Sequence, residues 1–405
     1  MRLYTKRQRF WRTFTQSAIA LAFSIGGMFS GRIISSFSHL FIALPWIIAL
    51  YPSILTLRGD ISGVLSGKLG TMIHTGQVNV SFTKNTPDFY ALLRAIFMLT
   101  FIDSIGMGIF TFVVNLPAGH ASARDLPYFI VAPLASCLLA TMISMPITIS
   151  TAFLSFKKGL DPDIIVYPVV ATISDILVAA CYAVTVHLTL AYYPASIIAI
   201  ASPSLALFLI LLYFSRHDFK LRVYASTLKE ASPTILLTSF GGVIDGVILA
   251  SFKYVLEARP EIIVVYPVLL NALGGFGSMV GSSTTTRLAL GLIPPNLSSF
   301  KDITLDVASM QFASLMLHIV FGLSSYALCA ATGIPVKLLS LISLCLLVGL
   351  LGSMAISALS FAIGVFAYKK GWDPDNFVIP LVSSVADILG TVLIVLFIDV
   401  VLKST

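Results

Sequence analysis

Apolar residues run along this chain in long stretches separated by short polar breaks, and each stretch is long enough to cross a hydrocarbon core of about 30 Å as a helix. The breaks predict about eleven spanning helices, near residues 15–37, 41–58, 91–115, 127–153, 164–190, 194–214, 233–255, 262–285, 309–331, 335–367 and 377–402. The expected fold is an all-α integral membrane protein. Composition agrees: 57% of the 405 residues are hydrophobic and 11% charged, against roughly 25% charged in a soluble domain.

The pattern is duplicated. Lys157 Lys158 Gly159 Leu160 Asp161 Pro162 Asp163, followed by Pro168 and Asp175, returns as Lys369 Lys370 Gly371 Trp372 Asp373 Pro374 Asp375, followed by Pro380 and Asp387. Aligned without a gap from Lys157 to Leu177, the copies share 12 of 21 positions, the mark of an internal repeat. An offset of 215 relates Gly26, Gly27 and Gly31 to Gly241, Gly242 and Gly246, Tyr51 Pro52 to Tyr266 Pro267, Gly59 to Gly274 and Gly76 to Gly291. The chain thus divides into a first repeat over 1–190, a linker helix and basic loop over 191–229, and a second repeat over 230–405. Five helices joined directly would leave the second copy upside down, and the extra crossing restores its orientation. Two parallel five-helix repeats are therefore expected, with a pseudo-two-fold axis along the membrane normal rather than in its plane.

Each Lys-Lys-Gly-x-Asp-Pro-Asp segment reads locally as a corner between helices. The lysines suit a helix C-terminus and glycine a left-handed cap, after which Asp161 and Asp373 can cap a new helix with Pro162 and Pro374 in its first turn. The net charge of +7 does not require nucleic acid, because the basic residues sit in short loops on one predicted side. By the positive-inside rule, Arg2, Lys6, Arg7, Arg9 and Arg12 place the N-terminus in the cytoplasm of a cell-membrane protein, with the C-terminus outside. The N-terminal basic run resembles a signal peptide, but ten further spans favour a retained helix. Cys137, Cys181, Cys329 and Cys345 show no ligand spacing and read as packing residues, and His187 and His318 as internally hydrogen-bonded side chains.

Candidate chemistry centres on Asp175 and Asp387, each 14 residues past its capping position and so about 20 Å along its helix. A carboxylate at mid-bilayer costs about 2.5–3.5 kcal/mol on insertion scales. A hydrated cation between the pair offsets this. A divalent ion that keeps its waters would set two outer-shell carboxylates roughly 8 Å apart, with a mutual repulsion of about 2 kcal/mol at an effective dielectric of 20. The alternative is that each carboxylate is protonated or hydrogen-bonded to a hydroxyl such as Ser174 or Ser384. Glycine-rich polar stretches follow Pro52 and Pro267: Leu57 Arg58 Gly59 Asp60 Ile61 Ser62 Gly63, and Leu273 Gly274 Gly275 Phe276 Gly277 Ser278, with Asn271 just ahead. Two readings stay open, unwound or loosely packed backbone lining a watery cavity and close helix packing. Asp245 and Asp103 are further intramembrane acids, suited to ion coupling or to helix–helix hydrogen bonds.

The duplicated corner, the following proline and the intramembrane aspartate resemble the last two helices of the MgtE magnesium channel family. The Pro-x-x-x-x-x-x-Gly segments resemble its second helix, and two such units in one chain are similar to solute carrier family 41. The resemblance implies a divalent-cation pathway, with magnesium as cargo and no resident cofactor, lined by the second and fifth helices of both units. It carries the family's fifth-helix aspartate onto Asp175 and Asp387. The family's Gly-Gly-Asn core reads Arg58 Gly59 Asp60 in one copy and Gly274 Gly275 Phe276 in the other. No soluble segment is long enough for the family's cytosolic sensor domains, so regulation by them is not expected.

The expected function is therefore divalent-cation transport, most simply of Mg2+, through a pathway between two repeats of a single chain embedded in lipid. A sodium- or proton-coupled exchanger, or a carrier of another divalent metal, is the alternative. A lipid-acting enzyme is disfavoured, because neither a nucleophile–base pair nor a His-x-x-x-His cluster is present.

Overall fold

The computed structural model describes residues 5–36, 45–117, 121–192, 195–251, 261–331, 333, 336–372 and 377–403. The first apolar run forms two helices, α1 (Lys6–Ala22) and α2 (Gly27–Ser36), joined by a 3-10 turn over Phe23–Gly26. α1 starts ahead of the apolar edge because Thr5 and Gln8 cap it reciprocally, the Thr5 hydroxyl accepting from the Gln8 N–H and the Gln8 side chain from the Thr5 N–H. Then come α3 (Pro45–His74), α4 (Pro87–Asn115), α5 (Leu126–Lys157), α6 (Pro162–Ala191) and α7 (Ala195–Asp218). A short α8 (Arg222–Ser226) leads through a π-helical turn, Thr227–Ala231, into α9 (Ser232–Ser251). α10 (Glu261–Ala289), α11 (Phe300–Ala331), α12 (Leu338–Lys369) and α13 (Val378–Lys403) follow. The chain is an all-α membrane protein, and among the described residues eight helices are long and apolar enough to cross a bilayer.

α3 departs from its predicted bounds, running to His74 instead of ending at 58. Arg58, Asp60 and Lys68 interrupt its apolar run, but all three are buried against other helices, so the helix continues inside the protein where hydropathy alone would stop it. The glycine-rich stretches are not unwound either; both lie within continuous helix. A continuous helix pairs its backbone groups within the segment. Serine hydroxyls add to this by donating to nearby carbonyls, Ser62 to Arg58 at 2.9 Å, Ser66 to Gly63 at 3.0 Å and Ser278 to Gly275 at 2.8 Å.

The Lys-Lys-Gly corners end their helices alike. Gly159 and Gly371 both have φ of 71°, and in each corner the next N–H reaches back to close a Schellman cap: Leu160 to the Ser155 carbonyl at 2.9 Å, Trp372 to the Ala367 carbonyl at 3.0 Å. α6 starts at Pro162 as expected, and the Asp161 carboxylate faces His74 Nε2 at 3.6 Å. Asp373, Pro374 and Asp375 lie outside the described residues.

The first helix of each half packs across onto the other half: α1 lies along α11, and α9 along α3. Glycines permit the approach. A Cβ on Gly27 would sit 2.7 Å from Asn271 Nδ2 and 3.3 Å from the Pro267 carbonyl oxygen. One on Gly242 would sit 2.8 Å from Thr56 Oγ1 and 3.2 Å from the Pro52 carbonyl oxygen. Gly27 and Gly242, Thr56 and Asn271, and Pro52 and Pro267 are each related by the offset of 215, so the two contacts are reciprocal.

Ion pairs tie helix ends together on the side of the Lys-Lys corners. Asp306, at the start of α11, accepts from Arg9 Nε at 2.8 Å and from Arg287 Nη2 at 2.6 Å. Arg94 Nη2 donates to Asp218 at 2.8 Å in the other half. The hydrogen bond to Asp306 holds the Arg9 proton more tightly than usual, and burial pushes the Tyr224 phenol up to about 12. α7, by contrast, leaves Ile198, Leu205, Leu209 and Tyr213 exposed, as a lipid-facing helix would. His318 Nδ1 meets the Ser314 carbonyl at 2.7 Å, the internal bond expected of it, whereas His187 is exposed on α6. The four cysteines are free thiols.

Candidate ion pathway

Four helices meet at the centre of the chain. α6 packs on α3 of its own half and on α10 of the other, while α13 packs on α10 and on α3. Asp175 lies on α6 and Asp387 on α13, and Asp387 feels the charge of Asp245 most, then of Asp60, then of Asp175. Both retain accessible surface, whereas their neighbours Ser174 and Ser384 are buried.

The two serines do not cap the aspartates. Ser174 Oγ lies 3.2 Å from Ser62 Oγ, and Ser384 donates to the Thr238 carbonyl at 3.2 Å. Asn271 turns its amide toward Asp175, without a well-aligned hydrogen bond from Nδ2. The hydroxyl alternative for the paired aspartates therefore loses the partners named for it. Among the described residues no three His, Cys, Asp or Glu side chains gather so as to hold a metal directly. Two carboxylates that take part in no direct metal cluster would suit only a cation that keeps part of its water shell.

The glycines separate into two kinds. A Cβ on Gly274 would meet no atom within 4 Å, and one on Gly59 would meet only the Tyr167 hydroxyl, at 4.0 Å, although both residues are buried. Open space therefore faces these two equivalent positions inside the protein. Gly63, Gly277 and Gly281 are packing positions: a Cβ there would lie 2.3 Å from Ile379, 2.3 Å from Val382 and 2.4 Å from Val378 respectively. Gly275, between the two kinds, gives its carbonyl to Ser278. Close packing thus holds at Gly63, Gly277 and Gly281, while Gly59 and Gly274, about one turn away, are loosely surrounded.

Accessible surface lies on the side away from the Lys-Lys corners. Tyr51, Pro52, Tyr266, Pro267 and Asn271 keep part of theirs, while residues 56–70 of α3 and 272–282 of α10 are buried throughout. Toward the corners, Tyr167 and Ile379, at equivalent positions of α6 and α13, pack together with Ala171. They stand eight residues before the two aspartates, about 12 Å along the helices.

The remaining acids are each held by hydroxyls. Asp60 is buried and accepts from Thr238 at 2.5 Å and from Ser383 at 3.0 Å, both from the other half. It also lies within electrostatic range of Asp387. Asp245 accepts from Thr391 at 3.4 Å, and Thr391 meets the Tyr266 hydroxyl at 2.7 Å. Asp103 accepts from Ser232 at 2.5 Å and lies within electrostatic range of Asp60. Phe276, where the resemblance expected a polar group, is fully buried among apolar side chains. Sequence reasoning named Arg58 only as a departure from a motif. In the structure it is buried, donates to Ser144 and lies within electrostatic range of Asp175.

Comparison with known proteins places these residues in a family context. The family model of MgtE, a divalent cation transporter, matches residues 51–185 and again 266–397. Solute carrier family 41 member 2 of Xenopus laevis is 23% identical over 94% of this chain and 72% of its own length. Solute carrier family 41 member 3 of Rattus norvegicus is 21% identical over 95% of this chain and 86% of its own length.

Proposed function

This chain belongs to the MgtE family of divalent cation transporters, and from that premise we propose that it carries Mg2+ across the cell membrane between its two halves. The observation that carries the reading is the pairing of Asp175 and Asp387. They occupy equivalent places in a duplicated sequence, Asp387 lies within range of the charge of Asp175, and both keep accessible surface. Mg2+ dehydrates reluctantly, so the proposed site holds it through water, one carboxylate from each half. The void beside Gly59 and Gly274 continues the route, and the contact of Tyr167 with Ile379 closes it toward the Lys-Lys corners.

The arrangement we infer has eleven crossings, parallel repeats over 1–190 and 230–405, and a linker over 191–229. The reciprocal glycine contacts and the two matches to one family model support it. The N-terminus and both Lys-Lys corners are then cytoplasmic and the C-terminus outside. One chain suffices for a pathway, since it supplies both halves.

The test is Mg2+ entry into liposomes reconstituted with the purified protein and loaded with a Mg2+-sensitive dye. Entry above that of protein-free liposomes, with a single chain per particle by mass measurement in detergent, is expected. No Mg2+ entry under any imposed gradient overturns the cargo assignment, and an obligate dimer with the route between chains overturns the single-chain pathway.

A further inference from the structure

Arg58 has no function in the pathway as described so far, yet it is a buried cation within electrostatic range of Asp175. Its side chain is 1% exposed in the middle of α3. Nη2 donates to the Ser144 hydroxyl on α5, whereas Nε and Nη1 have no partner. A guanidinium carries five N–H donors, and a buried charge is normally paired and fully hydrogen-bonded. A single neutral acceptor does not meet that requirement.

Three further features say what the unused donors are for. The carboxylate whose charge Arg58 feels is Asp175, half of the proposed ion site, with which it makes no direct ion pair. The residue after it, Gly59, has only the Tyr167 hydroxyl, at 4.0 Å, near its Cβ position; this space lies about 100° around α3 from Arg58, and a long side chain with several rotatable bonds can swing toward it. The equivalent position of the second half is Leu273, fully buried and packed toward Gly352 and Gly390. The cation is therefore present on one side of the site alone.

We propose that Arg58 is a tethered competitor for the transported cation: its guanidinium pairs with Asp175 when the site is empty and withdraws to Ser144 when a divalent ion lies between Asp175 and Asp387. The proposal rests on the two aspartates being the ion site. A pair of carboxylates deep in a low-dielectric interior would hold a divalent ion too strongly to release it, and conduction needs binding weak enough to leave. A third charge that competes for one carboxylate lowers the affinity and balances Asp175, leaving one net negative charge behind the departing ion. It also makes the two halves unequal, with Asp175 the contested carboxylate and Asp387 the permanent one.

The experiment measures Mg2+ binding to the purified full chain in detergent by calorimetry, together with Mg2+ entry into liposomes. Arg58→Gln keeps a donor for Ser144 and removes the charge; it is expected to tighten Mg2+ binding at least about tenfold and to slow entry at saturating Mg2+. Ser144→Ala removes the contact to which the guanidinium withdraws when the ion is bound, leaves it free for Asp175 and is expected to weaken binding several-fold; it serves also if Arg58→Gln does not fold. Asp175→Asn is the control for the underlying site. If Asp175→Asn weakens binding but neither of the other variants moves it in the stated direction, Arg58 is a structural residue and the competitor is overturned while the site stands. If Asp175→Asn leaves binding unchanged, the ion site is wrong and the competitor falls with it.

Discussion

Gly274 and Gly277 lie one turn apart on α10, and alanine at each should have opposite consequences. At Gly277 the new methyl would lie 2.3 Å from Val382 Cγ1 and 2.4 Å from Ile356 Cγ2, so these branched side chains on α13 and α12 must give way. Overpacking of this kind costs about 1–3 kcal/mol, against which alanine returns about 1 kcal/mol of helix propensity. At Gly274 the methyl meets nothing within 4 Å, so only the propensity gain of about 1 kcal/mol remains. Gly274→Ala should therefore melt at or above the wild-type temperature, and Gly277→Ala below it. Transport should rank them differently. If the space beside Gly274 is the ion route, Gly274→Ala narrows it and lowers Mg2+ entry, and Gly274→Leu stops it while the protein stays folded. Thermal melting in detergent and dye-reported entry into liposomes measure the two properties on the same preparations. A destabilised Gly274→Ala, or a folded Gly274→Leu that transports at the wild-type rate, would refute the assignment of that space to the route.

Two more outcomes follow from the contacts between halves and from the charge pattern. Thr238→Val and Ser383→Ala each take a hydroxyl donor from buried Asp60, and each should lower stability by about 1–3 kcal/mol, measured as a fall in melting temperature. Cysteines introduced at Lys158 and Ser404 should react with an impermeant thiol reagent from opposite sides of the membrane; reaction from one side would break the eleven-crossing arrangement and the parallel repeats with it.

What sequence reading reached was local or duplicated. The corner at Gly159 could be read because a Schellman cap uses residues within one turn of each other, and its copy at Gly371 repeats the same φ. Asp175 and Asp387 stood out because a charged residue at the same depth in two apolar helices is costly twice. The extent of α3 was not legible, since burial of Arg58, Asp60 and Lys68 depends on helices distant in sequence. Nor were the partners of the acids: Asp60 is held from α9 and α13, at separations of 178 and 323 residues. Glycine spacing at Gly26 and Gly27 announced close approach of helices without saying which. The structure answers that Gly27 meets α10 of the opposite half. Ser174 and Ser384 are adjacent to the right helical positions, but on a helix an adjacent residue points about 100° away, and their hydroxyls serve other helices.

The central claim is that Asp175 and Asp387 together hold the ion, and the most direct measurement is initial Mg2+ entry into liposomes containing Asp175→Asn, Asp387→Asn or both. Each single change preserves shape and removes half of the paired charge, so each should reduce entry severely. The double variant should be little worse than either single one, because residues that act as one site are not additive. Asp161→Asn, at a position where asparagine caps a helix about as well, should transport nearly normally and shows that the preparation is sound. Wild-type entry by the Asp175→Asn, Asp387→Asn double variant would contradict the account.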